Sequence, residues 1–154
     1  MLSDELLFTN DDKTDLEEEL LAAWTVLVVD DGPEVHAVTR MVLADFVFEQ
    51  RPVNIITASS AAEARDILVA DTHNAIAVAI IDVVMETTQA GLELVRWVRE
   101  TLNNHVIRLI LRTGQPGEAP EERVIRDYDI NDYKNKTELT ALRLKTSMYT
   151  ALRA

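Results

Sequence analysis

Ala75-Ile-Ala-Val-Ala-Ile-Ile-Asp82 is the stretch that decides the fold: seven apolar residues without alternation, closed by a carboxylate. A strand with one wet face alternates apolar and polar residues. An unbroken apolar run of this length instead marks a strand covered on both sides, as in a parallel sheet between two layers of helices. Working outward, Trp24-Thr-Val-Leu-Val-Val29 is a similar run that stops at Asp30-Asp31, and Val106-Ile-Arg-Leu-Ile-Leu111 stops at Arg112-Thr113. Val53-Asn-Ile-Ile-Thr57 and Ile130-Asn-Asp-Tyr133 supply two further short strands.

Between these runs the apolar spacing is helical. Val35, Val38, Val42 and Phe46 predict one face of a helix starting near Pro33. Ser60-Ala-Ala-Glu63 is a capping box that opens a second helix, burying Ala64, Ile67 and Leu68. Leu94, Val95, Val98 and Leu102 share a face of a third, a short helix covers Glu121 to Arg126, and Thr137 caps a last helix carrying Leu144, Met148 and Leu152. The stretch Gly114-Gln-Pro-Gly-Glu-Ala-Pro120 is a turn-rich loop. Five strands alternating with five helices predict an α/β fold with a parallel sheet and right-handed crossovers.

The 154 residues suit one domain, and 47% hydrophobic with 27% charged content is that of a globular chain. The absence of cysteine excludes disulfides, thiolate nucleophiles and Cys-ligated metal centres. No apolar run is long enough for a membrane span and the acidic start is unlike a signal peptide, so a cytoplasmic protein is expected. Fifteen basic against 27 acidic residues, a net charge of −12, argue against direct binding to nucleic acid or an anionic membrane. Eight of those acids but only Lys13 fall in residues 1–23, so this segment is expected to be an acidic leader, with an acidic docking tail as its functional alternative. The folded domain is then 24–154.

In an open parallel sheet, ligands gather beyond the carboxyl ends of the strands. The polar residues there are Asp30, Asp31, Thr57, Ser59, Asp82, Thr113 and the pair Lys134 and Lys136. If the first and third strands are neighbours, three carboxylates converge, and like charges that close either share protons or hold a cation. Oxygen-only ligands favour Mg²⁺ or Mn²⁺. With a threonine hydroxyl and a lysine opposite, the set fits phosphoryl transfer to Asp82 as nucleophile. Each residue taken alone has a plainer explanation: Asp31 with Glu34 forms a D-x-x-E helix cap, Asp82 ends a strand, Lys136 is a solvated lysine and Tyr133 packs. His36, His73 and His105 are isolated, and no Lys-Ser/Thr follows Gly114 to Gly117, so a phosphate loop is excluded there.

Taken in order, Leu27-Val-Val-Asp-Asp31, Ile80-Ile-Asp-Val-Val-Met85, Thr113-Gly114 and Asp132-Tyr-Lys-Asn-Lys136 resemble the receiver domain of bacterial two-component response regulators, over residues 24 to about 152. The resemblance implies a doubly wound, flavodoxin-like fold with five parallel strands in the order 2-1-3-4-5. It also implies a switch that takes a phosphoryl group from a sensor histidine kinase or phosphotransfer protein, with Mg²⁺ or Mn²⁺, and later sheds it by hydrolysis. By position, Asp82 matches the phosphoacceptor, Asp31 the direct metal ligand and Asp30 the acid that reaches the metal through water. The backbone carbonyl of Val84 matches a further ligand. Thr113 and Tyr133 match the switch pair, and Lys136 matches the lysine that steadies the phosphoryl group. Such domains signal through an output domain or a partner protein, and the face of helix four, strand five and helix five often dimerises.

Departures from the pattern are Glu86 and Thr137 where prolines are usual, and a loop one residue longer between Asp82 and Gly91. Val84 also lacks a polar side chain to orient an attacking water, so slow self-dephosphorylation is expected. Met85-Glu-Thr-Thr88, Leu111-Arg-Thr-Gly-Gln-Pro-Gly-Glu-Ala-Pro120 and Tyr128-Asp-Ile-Asn-Asp-Tyr-Lys-Asn-Lys-Thr-Glu-Leu139 are similar to receivers of larger regulators, several of which carry an HD-GYP cyclic-di-GMP phosphodiesterase. Two rivals are a pseudo-receiver acting as a phosphorylation-independent scaffold and a haloacid-dehalogenase-type phosphatase. The latter needs a D-x-D that Asp30-Asp31-Gly32 lacks.

Overall fold

The computed structural model describes residues 23–113, 122–135 and 141–153; the leader up to residue 22, the Gly/Pro loop, Lys136 and Thr137 lie outside the described residues. In chain order the elements are β1 (Trp24–Val29), α1 (Pro33–Leu43), β2 (Val47–Phe48), β3 (Arg51–Ala58), α2 (Ala61–Ala70), β4 (Ile76–Asp82), α3 (Ala90–Arg96), β5 (Arg108–Thr113), α4 (Glu122–Asp127), β6 (Asp132–Asn135) and α5 (Ala141–Arg153). Their sheet order is β2-β3-β1-β4-β5-β6. The five strands β3, β1, β4, β5 and β6 run parallel to their neighbours, which is the expected 2-1-3-4-5 arrangement.

The additional strand, β2, pairs antiparallel with β3 at one edge. Glu49 and Gln50 join the two with positive φ of 52° and 65°, as a tight two-residue hairpin requires. Nothing in Glu-Gln signals such a turn, which favours Asn-Gly. Packing holds it instead: Trp24 Nε1 donates to the Phe48 carbonyl at 2.9 Å, and the Arg51 guanidinium lies 3.7 Å over the Trp24 ring. Phe46, Phe48 and Tyr149 extend this aromatic edge.

Strand alternation sorts the core into two layers. Leu27, Val29, Ala79, Ile81, Leu109 and Leu111 pack with Ala64 and Leu68 of α2 and Leu94 and Val95 of α3. Val26, Val28, Val78, Ile80 and Ile110 pack with Leu43 of α1 and with Leu144 and Met148 of α5. The unbroken apolar run at β4 is therefore covered on both faces. Ser60 caps α2 as expected, accepting from the Glu63 backbone N–H, while the Glu63 carboxylate reaches back to the Ser59 N–H.

One buried position and two strand starts differ from the spacing. Val38 is 55% exposed, and the buried positions of α1 are Thr39 and Leu43, because the floor beneath this helix includes the guanidinium of Arg112, which donates to Thr39 Oγ1. Strand β5 begins at Arg108 rather than Val106, since Asn104 Oδ1 accepts from the N–H groups of Val106 and Ile107 and holds them in a turn. Strand β6 begins at Asp132, two residues after the expected start, with Asp132 in register with Ile110.

After α3 the helix widens into a π turn over Trp97–Thr101, with the Leu102 N–H bonded to the Trp97 carbonyl at 2.9 Å. Within this turn Arg99 is buried, and its guanidinium donates to four backbone carbonyls, those of Tyr128, Asn104, Ile107 and Asp129. Burial pushes its pKa down and nearby Asp129 opposes this.

Candidate functional site

Strands β1 and β4 are adjacent and in register at Val29 and Ile81, so the next residues, Asp30 and Asp82, end side by side. Asp30 and Asp82 are buried and Asp31 is exposed, and one carboxylate oxygen from each lies within 4.8 Å of the other two. The backbone around Asp30 is tightly held. Its N–H donates to the Ala58 carbonyl at 3.0 Å, its Oδ1 accepts from the Gly32 N–H at 2.9 Å, and its carbonyl accepts from His36 Nε2 at 2.7 Å. His36 is thus no isolated surface residue but a tie between α1 and the acidic corner.

The position that caps α1 is Gly32, and no side chain caps this helix. The D-x-x-E capping role open to Asp31 is not realised, and its carboxylate stays at the exposed mouth of the cluster. Three carboxylate donors without nitrogen or sulfur suit a hard divalent cation.

Beyond Asp82 the chain doubles back. The Val83 N–H donates to the Arg112 carbonyl at 3.0 Å and the Gly91 N–H donates to the Val83 carbonyl at 2.9 Å, which pulls the start of α3 against the end of β4. A Cβ at Gly91 would stand 2.1 Å from the Asp82 carbonyl oxygen. Only glycine permits this approach.

No family model matches the chain. Over 131 residues it is 52% identical to the 3'3'-cGAMP-specific phosphodiesterase 2 of Vibrio cholerae serotype O1; the match covers 85% of this chain and 25% of that protein. The chain therefore spans about a quarter of the length of the curated relative it matches. Among solved structures it resembles the signal receiver domain of an HD domain-containing protein from Pseudomonas fluorescens Pf-5, with a TM-score of 0.65 and 18% identity, covering 85% of this chain and 95% of that one. It likewise resembles the Vibrio cholerae chemotaxis protein CheY4, with a TM-score of 0.67 and 22% identity, covering 85% of this chain and all of that one. The chain has the receiver-domain fold.

Within this receiver fold, Thr113 is buried at the end of β5. The register sets Arg112, rather than Thr113, opposite Asp82, so Thr113 lies one step further out along its strand. Tyr133 lies on β6 in register with Leu111, and Lys134 is in register with Arg112. Val84 is half-buried and packs against the layer of α2 and α3. The described residues thus bring together Asp30, Asp31 and Asp82, with Val84 on the adjoining loop and Thr113 at the neighbouring strand end.

Two further side chains, to which the sequence alone assigns no role, stand beside this site. Arg112 is buried beside Asp30, and its signal was a charge two residues after Ile110, on the inward face of a covered strand. Glu86 accepts from the N–H groups of Ala61 at 3.0 Å and Ala62 at 3.3 Å, fastening the loop after Asp82 to the first turn of α2. Burial pushes the Glu86 pKa up, but those N–H groups and the nearby Arg65 outweigh it and hold the carboxyl below its ordinary 4.5. A folded-state pKa below the unfolded value contributes stability that is present above about pH 4.5 and lost as pH falls through the folded value. Glu86→Ala should therefore lower stability by about 0.5–1 kcal/mol at neutral pH, with the deficit shrinking toward pH 3. Thermal melts of both proteins at pH 7 and pH 3 check this; an equal deficit at both would assign Glu86 no charge-dependent role.

Proposed function

We propose that this receiver domain is a phospho-accepting switch in two-component signalling. On this reading residues 24–154 form the receiver, with 1–23 an acidic leader. The observation that carries it is the convergence of Asp30, Asp31 and Asp82 at the carboxyl edge of the central strands, with Asp82 ending a strand buried along nearly its whole length. A carboxylate oxygen of Asp82 forms the new O–P bond while the P–N bond to a donor phosphohistidine breaks. The donor imidazole leaves with the electron pair and is reprotonated from water. Asp30, Asp31 and Asp82, with the Val84 carbonyl, would hold Mg²⁺ or Mn²⁺. Such an ion, when bound, offsets the repulsion between the incoming phosphoryl oxygens and the carboxylates.

The Thr113 hydroxyl would donate to a phosphoryl oxygen and Lys136 would supply positive charge to it. Thr113 and Tyr133 would then act as the switch pair, biasing an equilibrium of the face formed by α4, β6 and α5 toward an output state or a homodimer. The phosphoryl donor would be a sensor histidine kinase or phosphotransfer protein. The curated relative is a 3'3'-cGAMP-specific phosphodiesterase, and one structural neighbour comes from an HD domain-containing protein. Both support an output domain of the cyclic-dinucleotide phosphodiesterase class, controlled by this receiver.

The test is intact-mass spectrometry after acetyl phosphate and Mg²⁺. A single phosphoryl adduct is expected for the native chain, with none for Asp82→Ala and none when the metal is chelated. An adduct that survives Asp82→Ala would move the acceptor elsewhere. No adduct on the folded native chain would favour the scaffold role.

A further inference from the structure

Arg112 is 3% exposed and sits in register with Asp82. Its Nη2 lies 3.7 Å from Asp30 Oδ2, too far for a hydrogen bond but close enough for a strong charge interaction. Nη1 donates to Thr39 Oγ1 at 3.3 Å, and that hydroxyl donates in turn to the Val35 carbonyl at 2.7 Å. Among the described residues Nε and Nη2 have no hydrogen-bond partner. A buried guanidinium placed to knit a structure uses its donors, as Arg99 does with four carbonyls. Among the described residues Arg112 makes one long hydrogen bond, and its Nη2 faces the Asp30 carboxylate. Its geometry is that of a fixed charge.

We propose that Arg112 is a built-in counter-cation for Asp30 and Asp82, which keeps the carboxylates together without a metal and weakens their hold on a divalent cation. Asp30, Asp31, Asp82 and Arg112 together carry a net charge of −2 instead of −3, in surroundings where water screens poorly. A divalent cation arriving among the carboxylates meets a positive charge already placed beside them, since Arg112 is buried and bonded through Thr39 to α1. The inference rests on the reading of this corner as a metal site.

The experiment is calorimetric titration of the protein with Mg²⁺, and with Mn²⁺ followed by electron paramagnetic resonance, for native chain, Arg112→Met and Arg112→Lys. Arg112→Met should bind both ions about tenfold tighter or more, and its Tm should rise more on adding Mg²⁺ than that of the native chain. Arg112→Lys keeps the charge and should stay within about threefold of native affinity. A residue that merely shapes the corner would loosen binding when removed, so equal or weaker binding by a folded Arg112→Met overturns the inference while leaving the metal site intact. If Arg112→Met does not fold, Asp30→Asn with Arg112→Met is compared with Asp30→Asn alone. The double variant must bind tighter, and failure to do so overturns the inference. No binding by the native chain or any folded variant removes the metal-site reading and the inference with it.

Discussion

Gly91→Ala is expected to destabilise the protein by about 2–3 kcal/mol and to depress phosphorylation of Asp82 in whatever fraction stays folded. The added Cβ would meet the Asp82 carbonyl oxygen at 2.1 Å, the Val83 Cα at 2.7 Å and the Asp82 carbonyl carbon at 2.8 Å. All three are backbone atoms, so no rotamer change relieves the clash. The start of α3 must retreat from the end of β4, which breaks the hydrogen bond from the Gly91 N–H to the Val83 carbonyl and shifts the residue that follows Asp82. Urea titration gives the stability change, and the acetyl phosphate assay on the folded protein gives the chemical one. A midpoint unchanged from the native chain would mean that the loop yields freely, and the close approach would then play no part in placing Asp82.

Arg99→Met should cost about 3 kcal/mol or more, since four backbone carbonyls lose a shared charged donor in one step. Arg99→Lys should restore only part of this, because an ammonium has three donors and lacks the planar fork that spans the Asn104–Ile107 turn and the Tyr128–Asp129 turn together. The loss should be felt first where α4 leads into β6, since the Tyr128 and Asp129 carbonyls lie there. Hydrogen exchange of the Ile130 and Asn131 amides, whose bonds to the Ile125 and Leu109 carbonyls follow those residues, should quicken more than exchange in β1. Uniform quickening would assign Arg99 to global stability alone. The exposed Arg96–Glu100 pair one turn away is the internal contrast: Arg96→Ala should leave the urea midpoint essentially unchanged.

The Arg96 and Arg99 pair also marks how far the sequence could be read. Both are arginines in one helical run, and side-chain type alone does not tell that Arg99 is buried and Arg96 exposed. Arg99 lies within the π turn over Trp97–Thr101, a widening that has no local sequence signature, and is buried there. The same limit applies at Glu49-Gln50, where an edge hairpin is held by Trp24, Phe48 and Arg51 rather than by turn residues. Val38 and Thr39 repeat it: three-and-four spacing favours Val38 for the core, yet the polar Thr39 is buried because Arg112 arrives beneath it from a strand 73 residues away.

What the sequence determined by itself was the layer order of the fold and the identity of the acidic residues at the strand ends. Apolar runs and helical spacing are local and redundant, so Ala75 to Ile81 sufficed for a doubly covered strand. A parallel α/β sheet then obliges polar residues that follow strands to collect at one edge. The tertiary structure decided which of them meet. Strand order brought Asp30 beside Asp82, and the helix start at Pro33 freed Asp31 from capping. Register, not composition, set Arg112 opposite Asp82. These outcomes depend on contacts between segments far apart in the chain, each chosen by how the whole core packs, and no short window of sequence contains that information.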